Sequence, residues 1–571
     1  MREILRELWA RRWRLLIGVL ALFIVDGLQL VAPLIVRKAV NDLVAGKGES
    51  LVRYAIYLAL IAVIVFAFRF VWRYFIFGTS RLIERDLRNR LYAHLLRLPQ
   101  GYYIQHPTGE LMAHATNDLE AVRFACGQGV LMTSDALFIV SFSLAAMIGI
   151  SPWLTLYAFI PLPFLALVVL KFGRIVHRRF QRVQEAFSQL TERVREGLSG
   201  VRVIRAFARE DGMERAFQET NLANVRANLA LVRIQGVFEP TVGFLAGLGT
   251  GFILWFGGRG VLAGELALGD LVAFTSYLGM MVWPMMALGN VVNVLQRGAA
   301  SMARIQKILS TEPEIKSPPK PKPLPASKTI EFRNLTFFYP GVNKPALREI
   351  NLRIEEGMTL GVVGLTGSGK STLVRLIPRI YDPPPGTLFL GGVDVRELPL
   401  SELRGLIGMV PQDVFLFSTT IRENIAYGRP EASEEEIWRA AELAGIAEEI
   451  RGFPDGLDTV VGERGLTLSG GQRQRIGIAR ALLLDPPILV LDDALSSVDA
   501  QVEEGILGNL RGVLRGKTAI VVAHRISAVR EADWIVVLSE GRIVEEGDHN
   551  RLVRRGGFYA RLCELQAVLS P

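Results

Sequence analysis

A multidomain fold is predicted: an all-α polytopic membrane domain of six helices, followed by an α/β domain built round a partly parallel sheet. Three observations predict it. Apolar residues make up 50% of the chain and the mean hydropathy is +0.30, both high for a soluble protein. Nearly all long uncharged runs precede residue 300, whereas the second half mixes charges, glycines and short apolar runs. A proline-dense stretch parts the two halves, and 571 residues exceed the roughly 100 to 200 that one core usually organises. The boundaries fall at 1–310 for the membrane domain, 311–328 for the linker and 329–571 for the α/β domain.

The first span, Leu15 to Val36, is interrupted only by Asp26 and Gln29, and at about 1.5 Å per residue it reaches roughly 33 Å, enough for the hydrocarbon core. The basic cluster Arg11, Arg12 and Arg14 leads into it without a small-residue cleavage site, so the run is read as an anchor that stays. Further spans are predicted at Tyr54 to Phe77, Gly129 to Ile150, Pro152 to Leu170, Val237 to Trp255 and Leu271 to Leu295. The connections alternate. Those near Gly46-Lys47-Gly48 and Ser151-Pro152 are short, whereas segments 79–128 and 171–236 are long and Arg-rich, which places them and the amino terminus in the cytoplasm by the positive-inside bias. Apolar residues recur in them at helical spacing (Leu82, Leu87, Leu91, Leu95; Val194, Leu198, Val201, Ile204), so the helices are expected to continue past the bilayer as cytoplasmic legs.

Asp26, Gln29, Asp135 and Glu239 are polar groups inside spans, which normally face a bundle interior or wet cavity; interhelical hydrogen bonding is the alternative. Arg69 and Arg73 mark the cytoplasmic end of the second span. Tyr277, Met280, Met281, Trp283, Met285 and Met286 in the sixth span offer either an adaptable surface for hydrophobic ligands or plain packing.

Ser317-Pro318-Pro319-Lys320-Pro321-Lys322-Pro323-Leu324-Pro325 excludes helix and favours an extended spacer. The net charge of +9 is attributed to cytoplasmic loops and acidic lipid rather than to nucleic acid. Cys126 and Cys563 lie far apart without a CxxC or Cys/His cluster, so they are read as free thiols, with no disulfide framework and no zinc site.

In the second half, the strand Leu360 to Val363 runs into Gly364-Leu365-Thr366-Gly367-Ser368-Gly369-Lys370-Ser371-Thr372, a complete P-loop. Its glycines let backbone N–H groups curl round phosphates at a helix N-terminus, Lys370 reaches the β- and γ-phosphates, and Ser371 offers its hydroxyl to Mg²⁺. ATP or GTP binding follows. A second apolar strand, Ile488 to Leu491, ends at Asp492, an acidic residue costly in such a place unless it holds Mg²⁺.

Those two motifs are shared by many NTPases. The discriminating run is Leu468-Ser469-Gly470-Gly471-Gln472, whose last residue lies 20 positions before Asp492; it resembles the signature of the ATP-binding cassette (ABC) family. Further motifs resemble that family in order. Tyr339 looks like the aromatic that stacks on adenine, Gln412 in Val410-Pro411-Gln412-Asp413 like the Q-loop glutamine at Mg²⁺, and His524 like the switch histidine at the γ-phosphate. Ser496 to Asp499 is similar to the D-loop, and Gly462-Glu463-Arg464-Gly465 to the X-loop of exporters. Tyr102 to Glu120 and Arg195 to Phe207 resemble the two intracellular loops of ABC exporters, so the resemblance covers nearly the whole chain.

The resemblance implies an ATP-driven exporter in the cell membrane, with its ATP-binding domain and amino terminus cytoplasmic. Two cassettes close head to tail, so Ser469, Gly470, Gly471 and Gln472 would serve the ATP of a second half-transporter. One departure matters. Where most members carry glutamate after the Walker B aspartate, as the base that polarises water, this chain has Asp493, one methylene shorter. The pattern is similar to the degenerate subunit of bacterial heterodimeric multidrug exporters, and implies a non-identical companion that supplies the glutamate. A homodimer with a slow aspartate base and a nucleotide-gated channel or regulatory subunit are the alternatives. Drugs, lipids and peptides all remain open as substrate.

Overall fold

A computed structural model of the chain describes residues 1–462, 465 and 468–569. Glu463 and Arg464 of the X-loop-like run lie outside the described residues. The chain divides into two compact units, Met1–Leu96 with Thr108–Thr311, and Arg97–Pro107 with Glu312–Pro571.

The first unit is helical throughout. Helices Arg12–Val44, Ser50–Leu95, Thr108–Ile150 and Glu210–Leu262 are each long and apolar enough to cross a membrane, and they contain the first, second, third and fifth predicted spans. The fourth predicted span is divided between helices Pro152–Phe159 and Pro161–Ser199, and the sixth lies within Leu268–Leu309. The tight turn between the third and fourth is a capped helix start: Ser151 is extended, its Oγ accepts from the Leu154 N–H at 3.3 Å, and Pro152 stands where a missing N–H costs nothing.

The legs outrun the bilayer. At about 1.5 Å per residue the 46 residues of Ser50–Leu95 make a rod of roughly 69 Å, against a hydrocarbon core of about 30 Å. Beyond Phe77 the helix is sustained on one side by Ile83 and Leu87, buried with Ile4, Leu119, Val122 and Ile305. Glu84 accepts from Arg88 at 2.7 Å and from Arg81 at 3.2 Å, pairs at helical spacing. The leg formed from Thr108 onward is tied to Leu268–Leu309 through Asp118, which accepts from Ser301 Oγ at 2.8 Å and Arg304 Nε at 2.9 Å and meets His114 Nδ1 at 2.6 Å.

Within the spans Asp26 is buried, Gln29 and Asp135 are half-buried and Glu239 is exposed. Tyr277 and Met281 are fully buried, and the Tyr277 hydroxyl donates to the Leu30 carbonyl at 2.7 Å. Those two therefore serve packing, while Trp283 stays exposed. The adaptable-surface alternative does not hold for Tyr277 and Met281, because a buried phenol with its one donor satisfied inside the chain is already spent.

The second unit has two sheets. A four-stranded antiparallel sheet runs β2-β1-β4-β5, from β1 (Ile330–Phe337), β2 (Leu347–Ile354), β4 (Leu388–Leu390) and β5 (Val393–Asp394). A six-stranded sheet runs β10-β9-β3-β8-β7-β6, from β3 (Thr359–Gly364), β6 (Ile407–Val410), β7 (Ile488–Asp492), β8 (Thr518–Val522), β9 (Trp534–Ser539) and β10 (Arg542–Gly547). All of its pairings are parallel except β9 with β10. Every residue of β7 and β8 is buried, as expected of parallel strands covered on both faces.

Two segments belong to this unit unexpectedly. The proline-dense stretch is no free spacer: Ser317 Oγ accepts from the Leu400 N–H at 2.9 Å and the Lys322 N–H donates to the Glu397 carbonyl at 2.8 Å. The short helix Gln100–Gln105 clusters with the α/β unit, although the chain on either side of it, up to Leu96 and from Thr108, is helical bundle.

Candidate functional site

The carboxyl ends of β3, β6, β7 and β8 converge, the position where parallel α/β sheets hold ligands. β3 delivers the P-loop. Gly364 ends it with a φ of 151°, and a Cβ there would lie 2.2 Å from the Leu538 carbonyl oxygen, so only glycine fits. Gly367 and Gly369 are left-handed too, at φ 80° and 104°, and the chain then turns into helix Lys370–Leu376. Thr366 is exposed on the loop, and Ser368 Oγ is buried without a hydrogen bond among the described residues.

The Lys370 ammonium donates to the carbonyls of Gly364 at 2.9 Å and Leu365 at 3.0 Å, folded back over its own loop. Burial lowers its pKa, opposed by the charges of Asp493 and Asp492. Tyr339 sits beside the P-loop helix, its hydroxyl 2.9 Å from Thr372 Oγ1 and its ring edge-on to Tyr381, with centroids 5.0 Å apart.

β7 carries Asp492 to the same point, with 0% of its side chain exposed. Ser371 Oγ donates to its Oδ1 at 2.7 Å; among the described residues its Oδ2 has no hydrogen bond and lies 3.7 Å from the Arg375 guanidinium. Burial raises the Asp492 carboxyl above the ordinary carboxylate range, and the Ser371 hydroxyl and Arg375 only partly offset it. A buried carboxylate oxygen left without a donor, beside a serine hydroxyl on a phosphate-binding loop, is the donor set a hard divalent cation takes. Mg²⁺ fits these residues.

Asp493 follows in the left-handed region at φ 53°, its N–H donating to the Val522 carbonyl at 2.9 Å. Its carboxylate accepts from Gln412 Nε2 at 3.3 Å and lies 4.0 Å from His524 Nε2, so the ends of β6, β7 and β8 meet on one group. Thus Lys370, Ser371, Gln412, Asp492, Asp493 and His524 are brought together.

Ser469, Gly470, Gly471 and Gln472 form a separate place. Ser469 caps helix Gly470–Leu483, its Oγ accepting from the Gln472 N–H at 3.2 Å while Gln472 Oε1 accepts from the Ser469 N–H at 2.8 Å. The exposed, anion-favouring end of that helix makes no hydrogen bond or ion pair to the P-loop among the described residues. A link runs behind it: Gln474 donates to Ser496 Oγ at 3.1 Å and accepts from the Ser497 N–H at 2.9 Å, and Ser496 Oγ donates to the Asp493 carbonyl at 3.0 Å. Gln474 was missed by sequence reasoning; its signal is a polar residue on a helix face otherwise buried as Ile476, Ile478 and Ala479.

Asp492→Asn is expected to act in two directions. A carboxyl whose pKa is raised by burial penalises the folded state at neutral pH, where the unfolded chain ionises it freely, so the amide should raise the melting temperature without nucleotide. It should also remove the extra stabilisation that Mg²⁺ adds to ATP. Thermal melts with ATP, with and without Mg²⁺, check both.

Residues 15–285 match the family described as the ABC transporter transmembrane region, and residues 347–496 the family described as ABC transporter. A probable multidrug resistance ABC transporter ATP-binding/permease protein of Bacillus subtilis, YheI, is 40% identical over 560 residues, covering 98% of this chain and 96% of that protein. The multidrug resistance-like ATP-binding protein MdlA of Escherichia coli is 39% identical over 98% of this chain and 96% of its own length. The ATP-dependent lipid A-core flippase of Syntrophus aciditrophicus is 36% identical over 97% and 92%. Among solved structures, a bacterial Atm1-family ABC exporter with ATP bound aligns with a TM-score of 0.81 at 28% identity, over 97% of this chain and 99% of that one.

Proposed function

Because this chain belongs to the ABC transporter family, as an exporter-type membrane region and an ATPase domain in one polypeptide, we propose that it is one half of a twelve-helix pump completed by a non-identical half-transporter. It is a multi-pass plasma-membrane protein with a cytoplasmic ATP-binding domain, and its ATPase is coupled to transport of the multidrug or lipid type. The finer reading rests on the pocket. In this chain's own site ATP lies along the P-loop, with Gly364, Thr366, Gly367, Ser368, Gly369, Lys370, Ser371 and Thr372 at its phosphates and Tyr339 against adenine. Ser371, Asp492 and Gln412 would hold Mg²⁺, which when bound neutralises charge on the β- and γ-phosphates. Ser469 to Gln472 close over the companion's ATP.

The observation that carries the asymmetric reading is Asp493. A base must come within about 2.6 to 3.2 Å of the proton it takes, and this carboxylate, one methylene short, is drawn back onto Gln412 in a pocket that leaves it 7% exposed. The site therefore grips ATP and turns it over slowly, while the companion's site, closed by this chain's intact signature, hydrolyses. Closure reaches the spans through the long helices.

Inverted vesicles test this. Those holding the chain with a glutamate-bearing companion from the neighbouring reading frame are expected to accumulate a fluorescent hydrophobic amphiphile on addition of ATP, and those holding the chain alone are not. Equal accumulation by the chain alone means a homodimer with a slow base. ATP-dependent leak without accumulation means a gated channel.

A further inference from the structure

The loop that carries His524 is tied down by two polar residues that the site itself does not use. One is Gln566 on the helix Phe558–Leu569, and both ends of its carboxamide are engaged: Nε2 donates to the His524 carbonyl at 2.7 Å and Oε1 accepts from the Ile526 N–H at 2.8 Å. The other is Glu503, which takes Arg525 Nη1 at 2.5 Å and Ser527 Oγ at 3.1 Å and is 2% exposed. The helix bearing Gln566 is itself anchored. Glu545 accepts from the N–H groups of Phe558 and Tyr559 at 2.5 and 3.1 Å, and Tyr559 is fully buried with its hydroxyl 2.8 Å from His549 Nδ1.

A carboxamide bonded to the carbonyl of one residue and the N–H of the residue two positions on fixes the peptide groups on both sides of Arg525. The direction in which the preceding residue presents its side chain is then fixed as well, and that side chain is His524, with Nε2 4.0 Å from the Asp493 carboxylate. We propose that Gln566 is a positioning residue for His524, through which the carboxy-terminal helix sets the imidazole against the γ-phosphate end of this chain's own ATP site. This rests on His524 being the γ-phosphate contact. The consequence is chemical selectivity: only ATP has the group that a correctly held His524 meets, so Gln566 governs the preference for ATP over ADP without touching either.

The experiment measures ATP and ADP affinities of the full-length chain in lipid nanodiscs, by displacement of trinitrophenyl-ADP. Gln566→Ala is expected to lower the ATP-over-ADP preference about fivefold, the worth of a net hydrogen bond or two, with ADP affinity unchanged. Gln566→Glu keeps the length and the acceptor for Ile526 but has no donor for the His524 carbonyl, so it should show the same loss in a protein with wild-type melting behaviour. His524→Ala should lower the preference at least as far, and the double variant no further than His524→Ala alone. Loss of preference in His524→Ala with none in folded Gln566→Ala or Gln566→Glu overturns the role of Gln566 and leaves the site reading standing. A Gln566 effect that persists undiminished without His524 also overturns it, since the helix would then act through the fold at large. If His524→Ala changes nothing, the reading of His524 fails first and this inference with it.

Discussion

Lys370→Ala is expected to weaken ATP binding by on the order of 100-fold or more and to abolish transport, because on the proposed reading it removes an ammonium that meets two phosphate groups at once. Charge-assisted hydrogen bonds are worth roughly 1.5 to 3 kcal/mol each, and two are lost together. The fold should survive. Among the described residues the ammonium donates to the Gly364 and Leu365 carbonyls; Leu365 is exposed and open to water, so the loss is confined to the buried Gly364 carbonyl, roughly 1 to 3 kcal/mol. The measurement is titration with a fluorescent ATP analogue beside a thermal melt. A variant that melts like the wild type and yet binds ATP equally well would remove the P-loop from the account, and with it the reason to assign Asp492 and Ser371 to Mg²⁺.

What the sequence made legible was whatever chemistry needs residues close together along the chain. The P-loop between strand and helix and Asp492 at the end of an apolar strand are local patterns that the structure puts where their spacing implied, while Ser469 to Gln472 were legible as a motif and only the structure shows them at a helix start. What stayed hidden depends on pairing across distance. Gln474 reaches the 496–497 turn, Glu503 reaches Arg525, and Gln566 reaches back 42 positions to His524, and no periodicity marks such contacts. The helical legs were visible as a pattern but not in extent, since the charges that break an apolar run, Arg81, Glu84 and Arg88, are paired along the helix surface and do not end it. The fourth predicted span read as one run because Pro161 is apolar; lacking an N–H, it instead begins a new helix after Phe159. The placement of Arg97–Pro107 with the cassette was invisible for a related reason: a short polar helix between two long ones carries no mark of which unit it will join.

Asp493→Glu carries the second large expectation, a rise of at least tenfold in ATP hydrolysis by the chain assayed alone. A well-placed general base contributes about 10²- to 10⁴-fold, and the added methylene restores reach that Asp493 spends on Gln412. Two costs limit the gain. The position is left-handed at φ 53°, where aspartate is tolerated better than most side chains, and the added methylene has to be placed at a site only 7% exposed. Neither cancels a gain of that size, because a strained residue of this kind costs on the order of 1 to 3 kcal/mol in stability and stability is read separately by melting. The comparison with Asp493→Asn decides what the native residue does. If the amide lowers turnover by 10² or more, the aspartate is already the working base and the chain is a self-sufficient homodimer. If glutamate raises turnover while the amide shifts it only slightly, the native carboxylate holds Gln412 and His524 in place over a nucleotide that it rarely hydrolyses, and the companion's site is left to reset the pump.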